Sequence, residues 1–328
     1  MNFEEIHNIA VLGSGIMGHG IAQSFMMGGY PVMLYDIQES ILETAKAHIK
    51  NNLELFRRAG LIERPEIESA LERLTLTVDL RQAVEAADFI VEAIPEDVSL
   101  KQDLFQHIET LCSQHTIIAS NTSSLTLKEI GARVKNKKRL VITHWFNPAQ
   151  LVPTVEVVKG EETSNEILNI TYKLLLKIKK APVRINREIP GFLVNRIQVA
   201  MAREVLDLYE KGIANAEDID AAVRGSIGFR LASIGPLLTM DLGGLDIWFK
   251  VLGNLLPDLH RSTKPPEALK RLVDQGHHGI KSGKGFYDYS LDFSKGALED
   301  AIKKRDQEFL NRLRHLYWKT ETKRQIDY

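Results

Sequence analysis

Asn8–Asp36 reads NIAVLGSGIMGHGIAQSFMMGGYPVMLYD. An apolar run, Ile9 to Leu12, leads into Gly13, Gly15 and Gly18, spaced G-x-G-x-x-G. Ile21, Ala22, Phe25 and Met26 then recur on one helical face, Gly28-Gly29 closes the helix, and Val32 to Tyr35 reads as a second buried strand. Gly13 permits the tight strand-to-helix turn. Gly15 lets a pyrophosphate approach the backbone, and Gly18 lets the helix pack on the sheet. The helix start offers unpaired N–H groups and a positive dipole end to phosphates, beside Ile16 and Met17. Asp36 lies 36 − 15 = 21 residues past Gly15, at the spacing of an acid that accepts from a ribose 2′-hydroxyl. It also repels a 2′-phosphate, and Ile37 follows where an Arg would pair with one. The stretch therefore predicts a Rossmann-like unit that binds NAD.

The whole chain, 328 residues, is expected to hold two domains. Lys+Arg 42 against Asp+Glu 43 leaves a net charge of −1, so no basic field invites nucleic acid or an anionic membrane. Cys112 is the single cysteine, which excludes an internal disulfide. No apolar run approaches the length of a membrane span and no signal peptide precedes the first strand, so the expectation is a soluble, cytoplasmic protein.

Beyond Asp36, Ser40-x-x-Glu43 has the form of a capping box. Leu42, Ala45, Ile49, Leu53 and Phe56 then keep helical spacing, and a second helix is expected over 66–73. Arg57 and Arg58 are the concentrated positive charges of this excursion and its candidate substrate contacts. Strands are expected at 74–78, 88–94, 116–120, 139–143, 155–158 and 182–185, alternating with helices. That alternation predicts a doubly wound, mostly parallel sheet whose carboxyl-end loops share one rim. From Pro190 the pattern turns helical, including one helix over 237–256 and a C-terminal helix over 297–318, with Leu298, Ile302, Phe309, Leu313 and Leu316 on roughly one face, packed on its own domain or a second copy. A short strand is expected at 285–289. The domains expected are 1–189, an α/β dinucleotide-binding unit, and 190–328, an all-α substrate and dimerisation unit.

His144 ends a strand on the rim, and Glu156 sits twelve residues on in an apolar strand. A buried acid is costly unless paired, and a Glu that orients a His stabilises its cation. The pair is therefore the candidate general base. Ser123 follows a strand end, Asn147 precedes Pro148, and Asn195 sits near the start of a helix. His277-His278 lacks the further ligands of a metal site, so no metal is expected.

Asn121–Leu125 (NTSSL), His144–Pro148 (HWFNP), Val155–Val158 (VEVV) and Pro190–Arg196 (PGFLVNR) resemble the 3-hydroxyacyl-CoA dehydrogenase family. The resemblance runs from the glycine loop to Gly285-Phe286-Tyr287. It implies His144 as catalytic base with Glu156 its partner, Ser123 and Asn195 on substrate oxygens, and Asp36, Glu96, Lys101, Asn147 and Lys281 along the NAD site. It also implies a homodimer and reversible oxidation of a short (S)-3-hydroxyacyl-CoA. Related L-gulonate and carnitine dehydrogenases act on small free acids, and crystallins of the lens are structural NAD-binding relatives. Residues 51–58 hold fewer positive charges than acyl-CoA members carry, which leaves Arg57 and Arg58, at the tip of the helical excursion, to meet the nucleotide end of CoA, remote from the reacting carbon; the chain also continues some 40 residues past Gly285–Tyr287, while Asp241–Asp246 looks like the acyl-CoA branch.

Overall fold

The computed structural model describes residues 3–289 and 297–318. The remaining positions of the expected domains, and the side chain of Leu298, lie outside the described residues. The described residues divide into two compact units, 3–193 with 305–318, and 194–289 with 297–304.

The first unit is built on one eight-stranded sheet in the order β3-β2-β1-β4-β5-β6-β7-β8. The strands are β1 (Ile9–Leu12), β2 (Val32–Tyr35), β3 (Leu74–Thr77), β4 (Phe89–Glu92), β5 (Ile117–Ser120), β6 (Leu140–Trp145), β7 (Thr154–Val158) and β8 (Ala181–Ile185). All neighbours pair in parallel except β6 and β7. The continuous apolar runs follow from burial on both faces. Ile9 and Val11 join one core cluster and Ala10 and Leu12 the other, because alternate residues of a strand face opposite sides.

One layer holds α1 (Gly18–Met27), α2 (Glu39–Arg58), α3 (Arg64–Glu72) and α7 (Asn165–Lys177). The other holds α4 (Leu80–Val84), α5 (Val98–Leu111) and α6 (Leu127–Ile130). Asp79 caps α4 by accepting from the backbone of Arg81 and Gln82. The expected box at Ser40 does not form. Helix α2 begins at Glu39 after Gln38, which leaves Ser40 inside the first turn. The box motif appears instead at Glu63/Glu66 and Thr126/Glu129.

The second unit is helical: α8 (Val194–Glu210), α9 (Ala216–Val223), α10 (Phe229–Leu231), α11 (Pro236–Gly243), α12 (Leu245–Leu255) and α13 (Glu267–Asp274). The single helix expected over 237–256 is broken at Gly244, whose φ of +89° no continuing helix accommodates. The strand expected at 285–289 is reduced to isolated bridges, Gly279 with Lys284 and Lys284 with Asp288.

The C-terminal helix α14 (Ala297–Leu313) departs from expectation. From Arg305 onward it belongs to the first unit, not to the helical one. Leu310 and Leu313 are buried in the α1–α2–α3–α7 core, and Phe309, Tyr317 and Trp318 pack against it. Its amphipathic face covers the flank of α2, with Trp318 against Phe56 at 5.7 Å. Among the described residues no helix is long and apolar enough to cross a membrane.

Candidate active site

The glycine loop behaves as its spacing demands. Gly13 has a φ of +96°, and a Cβ there would meet the Ala93 carbonyl oxygen at 2.6 Å. A Cβ on Gly18 would run into the Gly13 carbonyl. A Cβ on Gly15 would meet nothing within 4 Å, so this glycine keeps space open. That opening at the start of α1 fits a pyrophosphate. Asp36 ends β2, and its Oδ2 accepts from the Ser14 N–H at 2.8 Å and the Ser14 hydroxyl at 2.9 Å. Its Oδ1 accepts from the Ile37 N–H. Ile16 and Ile37 are exposed beside it, 74% and 73%. Apolar surface, a carboxylate and an open backbone cradle are the fittings of an adenosine diphosphate moiety.

A polar network crosses the carboxyl ends of β4 and β5. Glu92, fully buried, accepts from Lys101 Nζ at 2.5 Å, the Ile94 N–H at 2.8 Å and the Ser120 hydroxyl at 2.5 Å. Burial pushes the Glu92 carboxyl up, against the pull of the Lys101 ammonium and these hydrogen bonds. Lys101 is itself 1% exposed and also reaches the Ile94 carbonyl and Glu96, both at 3.3 Å. It therefore pins the 93–96 loop from beneath. Glu96 Oε1 accepts from the Thr122 hydroxyl at 2.6 Å, the Ser123 N–H at 3.0 Å and the Ser124 N–H at 3.2 Å. Partial burial raises the Glu96 carboxyl, but these bonds and Lys101 outweigh it and hold it below the usual range. The acid clamps the loop that presents the exposed Ser123. Glu92 was not among the residues singled out above. The signal that flagged Glu156, an acid inside an apolar strand, marks it too.

β6 and β7 bring the sharpest pair together. The antiparallel register sets His144 directly opposite Glu156. His144 Nδ1 lies 2.6 Å from Glu156 Oε2, and Oε1 accepts from the Leu193 N–H at 3.0 Å. Facing a carboxylate, Nδ1 is the donor, which leaves Nε2 to exchange a proton. Phe146 and Phe192 flank the imidazole at 4.5 and 5.6 Å. Asn121 Oδ1 accepts from the Trp145 N–H, tying the β5 loop to β6. Asn147, exposed, precedes Pro148 through a cis bond. Lys180 donates to the Ala149 and Val152 carbonyls at 2.6 and 3.0 Å, fixing the segment that follows.

The structure does not bring Arg57 and Arg58 to this rim. They end α2, about 28 Å along the helix from its start at Glu39. Both are engaged by Glu54, and Arg57 holds its carboxyl down at about 2. The neighbouring Phe56 meets Trp318, which lies by Gly28 and Gly29 at the far end of α1. Asn195 is in the first turn of α8 and Lys281 in an exposed loop, both in the second unit. Among the described residues no group of His, Cys, Asp or Glu could hold a metal.

A doubly wound sheet with an open glycine cradle, an acid closing β2 and a buried His–Glu pair on one rim defines an NAD-dependent oxidoreductase. Residues 8–189 match the family model of the 3-hydroxyacyl-CoA dehydrogenase NAD-binding domain, and 191–289 that of its C-terminal domain. The chain belongs to the 3-hydroxyacyl-CoA dehydrogenase family. It is 34% identical over 301 residues to 5-formyl-3-hydroxy-2-methylpyridine 4-carboxylate 5-dehydrogenase of Mesorhizobium japonicum, covering 91% of this chain and 96% of that one. It is 35% identical over 286 residues to a probable 3-hydroxybutyryl-CoA dehydrogenase of Bacillus subtilis, covering 87% and 98%. A crystal structure of a 5-formyl-3-hydroxy-2-methylpyridine 4-carboxylic acid 5-dehydrogenase superposes with a TM-score of 0.87 at 32% identity, covering 95% and 98%.

Proposed function

We propose that this chain oxidises, reversibly, a hydroxyl-bearing carbon of a small free carboxylic acid with NAD. NAD, held along the glycine loop and Asp36, supplies the hydride acceptor. His144 Nε2 takes the hydroxyl proton. Glu156, fixed by the Leu193 N–H, keeps the ring in one tautomer and stabilises the imidazolium. Ser123, held out by Glu96, binds a substrate oxygen, and Asn195 is assigned the same task. Glu96, Lys101, Asn147 and Lys281 complete the NAD site. Prepaid positioning of these groups carries much of the rate.

The observation that carries the free-acid reading is α14. Its residues from Arg305 onward lie along α2, the flank expected to receive the nucleotide end of CoA. The positive charges assigned to that end, Arg57 and Arg58, are paired with Glu54. The full-length likeness to an enzyme of a pyridine carboxylate supports the same reading.

Oxidation of a short (S)-3-hydroxyacyl-CoA is the second reading, favoured by the likeness to the Bacillus subtilis protein. NADH oxidation with acetoacetate beside acetoacetyl-CoA separates them. Comparable or higher kcat/KM on the free acid is expected. A preference for the thioester of a hundredfold or more overturns it.

A further inference from the structure

Beside the glycine loop lies a cleft of about 360 Å³, a size that suits a small molecule. Gly15 and Ile16 form one wall, His48 and Asn52 of α2 a second, Asn147 a third. Arg305 and Asp306, brought by α14, close the fourth. Asn147 is three residues past His144, so the cleft adjoins the segment that carries the base. Both family models end by Tyr289, so Arg305 lies beyond the residues they match.

The polar lining of this cleft mixes donors, from Arg305 and the Asn52 amide, with acceptors, the Asp306 carboxylate and Gln150 Oε1, which is buried with no hydrogen-bond partner among the described residues. Arg305 spends Nε and Nη2 on one oxygen of Asp306, at 2.8 and 2.7 Å. A guanidinium has a second, end-on edge formed by Nη1 and Nη2, the edge that grips a planar carboxylate bidentately. Asn52 Nδ2 is buried with no hydrogen-bond partner among the described residues. A buried donor left unpaired costs free energy that a ligand oxygen would recover. His19 donates Nδ1 to the Gly15 carbonyl. Burial, foremost, and His48 push its imidazole below the usual range, against that carbonyl bond. The cleft's fixed positive charge is therefore Arg305, and its fixed negative charge is Asp306, which Arg305 pairs.

We propose that Arg305 is the anchor for a carboxylate of the substrate, with the Asn52 amide as second donor. The proposal rests on the free-acid reading above and names the residue that selects for it. Arg305 holds the acid end while His144 faces the reacting carbon, so it is a specificity-determining residue.

The test titrates the enzyme–NADH complex with acetoacetate, pyridine-4-carboxylate and the uncharged pyridine-4-carboxamide. It compares wild type, Arg305→Lys and Arg305→Met, whose stem can keep the packing near Phe309. The wild type should bind a carboxylate well above the amide. Arg305→Met should weaken carboxylate binding about tenfold to a hundredfold, the scale of charge-assisted hydrogen bonds, and Arg305→Lys less. NADH affinity should stay within about twofold. Unchanged carboxylate binding in Arg305→Met overturns the proposal. So does a wild type that binds none of the acids or prefers the amide. A parallel loss of NADH affinity also overturns it, because Arg305 would then serve the cofactor phosphates. The two readings fail separately. Free-acid turnover untouched by Arg305→Met removes Arg305 alone. A wild type that prefers acetoacetyl-CoA yet binds carboxylates through Arg305 removes the free-acid reading alone.

Discussion

Glu156 meets His144 through the one antiparallel pairing of the sheet, strand partner to strand partner, at 2.6 Å. A cross-strand pair on a rigid sheet has little freedom to rearrange, so its geometry is set before substrate arrives. His144→Ala should lower turnover by about 10²- to 10⁴-fold, the scale of a lost general base, with NAD affinity nearly unchanged. Glu156→Gln should lower turnover too, because the amide neither stabilises the imidazolium nor dictates the tautomer. Steady-state kinetics and NADH titration check both. A His144→Ala enzyme at half the wild-type rate would place the base elsewhere.

Asp36 should decide the cofactor. Its carboxylate is already oriented by the Ser14 N–H and hydroxyl, and a 2′-phosphate would meet it without a compensating Arg. Wild-type kcat/KM should favour NAD over NADP strongly. Asp36→Ala should weaken NAD and narrow the gap. Equal wild-type efficiency with both cofactors refutes the assignment.

Lys180 gives a pH signature. Burial lowers its ammonium to about 7, while the unfolded chain keeps the usual value of 10.5. Below the folded value both states hold the proton, and the cost of burying the cation is felt in full. Between the two values the unfolded state binds the proton that the native state gives up, so stability rises with pH across that window. The neutral amine still has donors for the Ala149 and Val152 carbonyls. Lys180→Met removes this proton linkage and strands both carbonyls, at a cost on the order of 1–3 kcal/mol. Urea melts at about pH 7 and about pH 9.5 should show the gap between wild type and variant widening with pH. A constant gap contradicts the linkage.

What was legible in the sequence was local or periodic. Gly13, Gly15, Gly18 and Asp36 announce their placement by spacing, because one strand–turn–helix unit fixes all four. His144 and Glu156 were readable as a pair because an acid in an apolar strand needs a partner. Glu92 carried the same mark, and its partner Lys101 lies nine residues on. Arg57 and Arg58 close α2 at the end away from the glycine loop, where helical spacing places them but does not say what they meet. The C-terminal helix shows the general limit. Amphipathic spacing says that a helix packs, not what it packs on, so the approach of Arg305 to the glycine loop had no local signal. Even the face was partly misread: Leu310 is buried while Ile302 stays 39% exposed.

The second unit carries an exposed apolar surface that calls for a partner. Among the described residues of the second unit, Ala268 is the only apolar residue with a buried side chain. Phe229, Leu237 and Phe249 are exposed at 76%, 75% and 82%. A helical unit of this size needs a buried apolar face to be stable, and exposed patches of this kind mark an interface. A second copy of the chain is the partner proposed, through a two-fold contact in which each copy offers the same surface. Sedimentation equilibrium should give twice the chain mass of 37.0 kDa at micromolar concentration. Phe249→Glu with Phe229→Glu should shift the mass toward the monomer and lower the melting temperature, because each unpaired surface then faces water. Binding of NADH, which depends on the first unit, should survive in the variant. A wild-type mass of one chain at every concentration would end the dimer proposal.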